Sequence, residues 1–233
     1  MNNPHISEQY DAELAAARNL LMEMGGLVEQ QLHDAAQALI NQDEQLATKV
    51  RTGDVEVNRL EVEIDERCIH IIARRQPAAS DLRTLVSIMK ASTDLERIGD
   101  EAGRIAKMAQ ALSQLEYPGD QYADFRVLSA RAEEIVANSL DAFARLDPDG
   151  AMQVIESDEH IDQGYNALVR DRSSNMRADA TSIDRDMNVI WAARALERIG
   201  DHAKNISEYV VYLVKGQDVR HADKLRRRQG PAD

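Results

Sequence analysis

Two carboxylate pairs stand in identical surroundings. They are Glu96 and Asp100 in Leu95-Glu96-Arg97-Ile98-Gly99-Asp100, and Glu197 and Asp201 in Leu196-Glu197-Arg198-Ile199-Gly200-Asp201. On a helix, residues four apart project from the same side, so each pair concentrates negative charge and oxygen donors at one spot. Asp54 with Asn58 and Asp158 with Asp162 share that spacing. If they face the duplicated pairs, two clusters of four oxygen-bearing side chains form. Such clusters suit hard cations, Mg²⁺, Ca²⁺ or Mn²⁺, or iron in a multinuclear surface cluster. The competing reading is a solvated helix face on which Arg97 and Arg198 balance the charge. Against it, like charges four apart cost about 0.2–0.5 kcal/mol in an isolated helix, and the chain accepts that cost twice.

Other chemistry is sparse. Ferritin-like di-iron bundles need an inward-facing Glu-x-x-His, and none of the six histidines has a glutamate three positions before it. His160 and His202 read as surface residues. No Gly-rich phosphate loop, nucleophile elbow or zinc-ligand spacing occurs, so the expectation is a protein that is not an enzyme. A metal-dependent hydrolase would need a general base beyond the ligands themselves; a metal-storage role is the other alternative. Arg74-Arg75 would answer a helix dipole, and Arg226 to Arg228 would belong to a solvated tail.

The elements that must position these side chains are helices. Only 11 Gly and 5 Pro interrupt 233 residues, and the prolines fall near ends or between periodic stretches. A first helix is predicted from Ser7, as N-cap, to about Gln42. A second spans Asp43 to Arg75, with a kink or break at Thr52-Gly53-Asp54. A third runs from Asp81 to about Leu115. Three more cover about Tyr122 to Leu146, Pro148 to Ala178, and from the turn at Asp179 to Ser182 on to Lys215. In the third, Ile88, Ala91, Leu95, Ile98, Ala102 and Ile105 alternate steps of three and four, the seam of a helical bundle. Val189, Ala192, Leu196, Ile199, Ala203 and Ile206 repeat that seam 101 positions later. At about 100° per residue, the carboxylates point roughly 150° away from the seam, hence outward. A repeat of this period decides the architecture. The reading is all-α, two tandem three-helix bundles over residues 5–116 and 120–216, parted at Tyr117-Pro118-Gly119-Asp120, with a polar tail from 217 to 233.

Composition narrows the partners. A formal net charge of −13 repels phosphate backbones and anionic lipids, which argues against nucleic acid and membrane insertion. The single Cys68 excludes an internal disulfide and fits a reducing compartment. No apolar run reaches the roughly 18 residues of a membrane span, and Glu8, Asp11 and Glu13 occupy the place of a signal peptide's apolar core. The expected location is the cytoplasm.

Three features carry a resemblance: the duplicated Leu-Glu-Arg-Ile-Gly-Asp, the turn Arg75-Gln76-Pro77-Ala78-Ala79-Ser80-Asp81-Leu82-Arg83, and the closing Val214-Lys215-Gly216-Gln217-Asp218. Together, from His5 to the tail, the chain resembles the PhoU family, accessory regulators of bacterial phosphate-specific (Pst) transport. The resemblance implies two PhoU-type bundles, a homodimer, and a cytoplasmic negative regulator of the phosphate-starvation response and of phosphate uptake. It implies partners in PstB, the transporter's ATPase, and in the sensor kinase PhoR, held back from activating its response regulator PhoB while phosphate is plentiful. It also implies a capacity for divalent metal or iron clusters (Fe, Zn, Mg or Mn) on Glu/Asp-x-x-x-Asp motifs. Here these fall on Asp54, Asn58, Glu96 and Asp100, and on Asp158, Asp162, Glu197 and Asp201. Asn58 is neutral where Asp162 is charged, so the first cluster is expected to bind metal more weakly.

Overall fold

A computed structural model describes residues 4–115 and 122–219, with side chains from residue 8 onward. Six helices account for it: α1 (Pro4–Asn41), α2 (Glu44–Arg75), α3 (Ala79–Ser113), α4 (Ala123–Arg145), α5 (Pro148–Ala178) and α6 (Ile183–Lys215). A 3₁₀ turn over Ala180–Ser182 leads into α6. The expected boundary at residues 117–120 and the arginines at 226–228 lie outside the described residues.

Local chemistry accounts for most of the helix ends. The Asp43 side chain accepts from the Leu46 N–H at the start of α2, and Asp147 accepts from the Asp149 and Gly150 N–H groups ahead of α5. Each satisfies donors that the first turn leaves unpaired. Gly216, with φ of 67°, closes α6 in the left-handed region. Two expectations are corrected. α1 begins at Pro4, so Ser7 lies inside it and is no cap. α2 runs unbroken through Thr52-Gly53-Asp54, because the apolar line of Val50, Val57, Leu60 and Ile64 packs continuously across the glycine, and tertiary burial outweighs its weak propensity.

α1 packs on α2 and α3, and α4 packs on α5 and α6; α3 and α6 lie against each other, and α1 also touches α4. The result is a row in the order α2, α3, α6, α5, with α1 and α4 covering one side. Leu21, Met24, Val28, Leu32 and Leu39 of α1 are fully buried, as are Ile88, Leu95, Ile98 and Ile105 of α3 and their repeat counterparts on α6. The central pair is antiparallel and cemented by polar contacts. Asp94 of α3 accepts from Asn205 Nδ2 at 3.1 Å and from Tyr209 OH at 2.8 Å, and lies 2.7 Å from His202 Nδ1. His202 is therefore not the surface histidine expected, because α3 covers it.

The second repeat carries a buried ion cluster where α4, α5 and the start of α6 meet. Arg172, 5% exposed, donates to Asp124 and reaches Asp186, which is fully buried and also accepts from Ser182 Oγ at 2.7 Å. Removing one partner strands the others' charge in a medium that solvates it poorly. Arg172→Met is expected to cost about 3–5 kcal/mol, measured by urea denaturation, while Arg145→Met, whose partner Asp141 is exposed, costs less than about 1 kcal/mol.

Candidate functional site: two acidic seams

The glycine of each repeated motif sets the approach of neighbouring helices. A Cβ on Gly99 would stand 3.2 Å from Gln31 Oε1, 3.5 Å from Asp54 Oδ1 and 3.6 Å from Val57 Cγ1. A Cβ on Gly200 would stand 3.0 Å from Ile161 Cδ1 and 3.2 Å from Asp158 Oδ1. With hydrogen in that place, α2 closes on α3 and α5 on α6, and an aspartate from the outer helix lands beside the motif each time.

In the first seam, Asn58 Nδ2 donates to Asp54 Oδ2 at 3.2 Å. Asp54 Oδ1 and the nearby Gln31 Oε1 are buried atoms with no hydrogen-bond partner. Loss of water, with the Asp100 charge behind it, raises the Asp54 pKa against the lowering effect of the Asn58 bond. Glu96 rises too, through burial first and then repulsion from Asp100, Glu61 and Asp54, with Arg97 opposing. Asp54, Glu96 and Asp100 thus share one field, together with Glu61, which the sequence reading missed. Asp100 and Asn58 are exposed; Asp54 and Glu96 are half-buried. The carboxylates are reachable from solvent.

The second seam gathers the same positions but is wired differently. Lys204 Nζ binds Asp158 Oδ2 at 2.8 Å, and Arg194 Nη1 binds Glu197 Oε1 at 2.6 Å. Burial raises the pKa values of Asp162, Glu197 and Asp201, and mutual repulsion adds to each. Lys204 and Arg194 pull the other way, and the bond to Asp158 lifts Lys204 despite its own burial. Shifted back by 101, Lys204 falls on Gly103 and Arg194 on Thr93, so the first seam has neither cation. No atom lies within 4 Å of where a Gly103 Cβ would be. That difference was legible in the repeat, but its meaning needed the helix packing. Arg198, expected to balance Glu197 and Asp201, instead crosses to Glu101 of α3 at 2.9 Å. Arg75 does more than answer a dipole: it forks onto Glu13 at 3.0 and 2.7 Å.

Among the described residues, no three His, Cys, Asp or Glu side chains stand in a metal-holding arrangement as drawn. The donor chemistry nonetheless separates the seams. The first leaves Asp54 Oδ1 without a hydrogen-bond partner and has Arg97 acting on Glu96; the second leaves Glu197 Oε2 without one, while Lys204 binds Asp158 and Arg194 binds the other Glu197 oxygen. The sequence-based ordering, in which Asn58 weakens the first cluster, left out Lys204 and Arg194.

Residues 21–109 and 125–210 each match the PhoU domain. The chain belongs to the PhoU family. It is 48% identical, over 97% of its length and 93% of the other's, to a phosphate-specific transport system accessory protein PhoU homolog of Pseudomonas aeruginosa. Identity to the PhoU accessory protein of Escherichia coli K12 is 45%, over 94% of this chain and 90% of that one. The crystal structure of PhoU from Pseudomonas aeruginosa superposes with a TM-score of 0.87 at 47% identity, covering 89% of this chain and 100% of that one. A phosphate transport system regulatory protein PhoU from Streptococcus pneumoniae gives 0.84 at 30% identity, covering 90% and 99%. The PhoU fold that the resemblance implied is the fold observed.

A carboxyl whose pKa is raised in the folded state makes its largest relative contribution below its unfolded pKa and loses it as pH rises through the folded value. Glu96→Gln is therefore expected to stabilise the protein at pH 7 by about 0.2–0.5 kcal/mol. The gain should vanish below about pH 4, where Glu96 is protonated in both states. Thermal melts of both forms across that range measure it. Lys204→Met should cost about 1–3 kcal/mol at neutral pH, because Asp158, 5% exposed, loses its partner.

Proposed function

We propose that this PhoU-family protein is a non-enzymatic adaptor that restrains the phosphate-starvation response and phosphate uptake. It would work in the cytoplasm, as a homodimer, between PstB of the Pst transporter and the sensor kinase PhoR. Such an adaptor biases the kinase only by binding one of its states more tightly than the other. The names of its relatives, accessory proteins of phosphate-specific transport, support the assignment to that system. No described helix is long and apolar enough to cross a membrane, so contact with a membrane transporter would be made through its soluble parts. The observation that carries the reading is the pair of acidic seams flanking the α3–α6 pair, each with an exposed aspartate, Asp100 or Asp201, at its rim.

A second reading concerns metal. We propose that the first seam, on Asp54, Asn58, Glu96 and Asp100, takes a divalent cation or iron more readily than the second, on Asp158, Asp162, Glu197 and Asp201. What supports it is the Lys204 ammonium bound to Asp158 in the second seam, against Gly103 at the matching place in the first; each seam also holds one buried carboxylate oxygen without a hydrogen-bond partner, on Asp54 and on Glu197. The ion would neutralise the repelling carboxylates and stiffen the seam as a docking surface.

Capture of PstB and PhoR by the Glu96→Lys/Asp100→Lys and Glu197→Lys/Asp201→Lys forms tests the docking role. Loss of either partner is expected, and undiminished capture by both forms would reject it. For metal, Gly103→Lys should place an ammonium in the first seam as Lys204 does in the second. Elemental analysis of tag-free protein should then show the bound metal lost while the circular dichroism melt is retained.

A further inference from the structure

The side of the four-helix row opposite α1 and α4 is uncovered among the described residues, and its centre has a character of its own. Trp191, Arg194 and Arg198 stand at i, i+3 and i+7, along one stripe of α6, and Arg97 and Arg104, seven apart, along one stripe of α3. Trp191, the single tryptophan of the chain, is 54% exposed. Arg104 Nη1 and Arg198 Nη1 both bind Oε1 of Glu101, at 2.6 and 2.9 Å, so one buried carboxylate serves two guanidiniums. Arg97 is exposed and makes no ion pair among the described residues. Arg97, Arg104 and Arg198 have one carboxylate among them, Glu101, and Arg194 is paired with Glu197, so the centre of the stripe is cationic between the flanking Asp100 and Asp201.

Exposed tryptophan costs hydration free energy that folding alone would remove, and tryptophan and arginine dominate the energetics of protein interfaces. We propose that this stripe receives an acidic amphipathic helix from a partner protein. Its apolar residues would cover Trp191, and its carboxylates would meet Arg97, Arg104, Arg194 and Arg198. The surroundings favour a helix over a flat anionic surface. Asp100 and Asp201 stand exposed on either flank, so a membrane pressed onto this face would meet both acidic seams. Repulsion from these flanking carboxylates would keep an acidic helix in line along the stripe. Arg194 is shared with the second seam, where it holds Glu197, and Arg97 borders Glu96 of the first, while Trp191, Arg104 and Arg198 stand outside both seams.

The lone tryptophan makes the test direct. The full-length protein is titrated with an amphipathic peptide of about 20 residues, long enough to hold a helix, with leucine on one face and glutamate on its flanks. Trp191 emission should shift to shorter wavelength as the peptide binds, and the affinity should fall with added salt. Arg97→Glu, which breaks no ion pair among the described residues, should weaken binding about tenfold, and Trp191→Ala should weaken it about tenfold by calorimetry. The proposal is overturned if emission is unchanged up to about 1 mM peptide, a range that covers weak association. It is equally overturned if both variants bind as the parent does, if a lysine-for-glutamate version binds as well, or if phosphatidylserine vesicles displace the peptide at equal charge.

Discussion

A missing methyl group organises this molecule. At Gly99 and Gly200 a neighbouring helix passes so close that a side chain would meet Gln31 and Asp54, or Ile161 and Asp158. The two acidic seams lie along that approach. The aspartate of the outer helix is carried next to a Glu-x-x-x-Asp pair on the inner one, and the carboxylates gather at a depth where water only partly reaches them. Their raised pKa values are the electrostatic consequence, with burial leading and like charge adding to it. Close packing at a glycine and a repelling acidic seam are one structural event seen from two sides.

The two repeats share this geometry and diverge in how they compensate it. The second seam recruits Lys204 and Arg194 from its own inner helix, which pair with Asp158 and with one oxygen of Glu197. The first keeps Gly103 and Thr93 at those places. Elsewhere the second repeat also supplies the buried cluster of Arg172, Asp124 and Asp186. The two copies thus share a backbone while their polar chemistry differs, one half carrying internal ion pairs that the other lacks. Between them, Asp94 with its α6 partners and Glu101 with its two arginines tie the halves through polar contacts as well as apolar ones.

Much of this was readable in residue order, and for a simple reason. Helical periodicity is local, so the seam through Leu95, Ile98 and Ala102 and its copy at Leu196, Ile199 and Ala203 announced the six helices, the duplication and the inner and outer faces. The exposed placement of Asp100 and Asp201 followed from rotation per residue alone, whereas Glu96 and Glu197 are half-buried because the outer helices close over them. Local signals misled where burial overruled them: Gly53 looked like a break, yet α2 passes through it because both sides pack on one core.

What residue order could not decide was which charges meet across helices. That Arg198 reaches Glu101 on α3 and not its neighbour Glu197, that His202 is enclosed against Asp94, and that Lys204 completes the second seam are facts of helix packing, set by distances between residues tens to a hundred positions apart. The row of α2, α3, α6 and α5, with one side covered by α1 and α4 and the other carrying Trp191 and the arginines, belongs to the same class. Periodicity along a chain determines which face of each helix is apolar. Only the packing of those faces against one another determines which polar groups become neighbours, because that depends on the crossing and offset of whole helices, which no single stretch encodes.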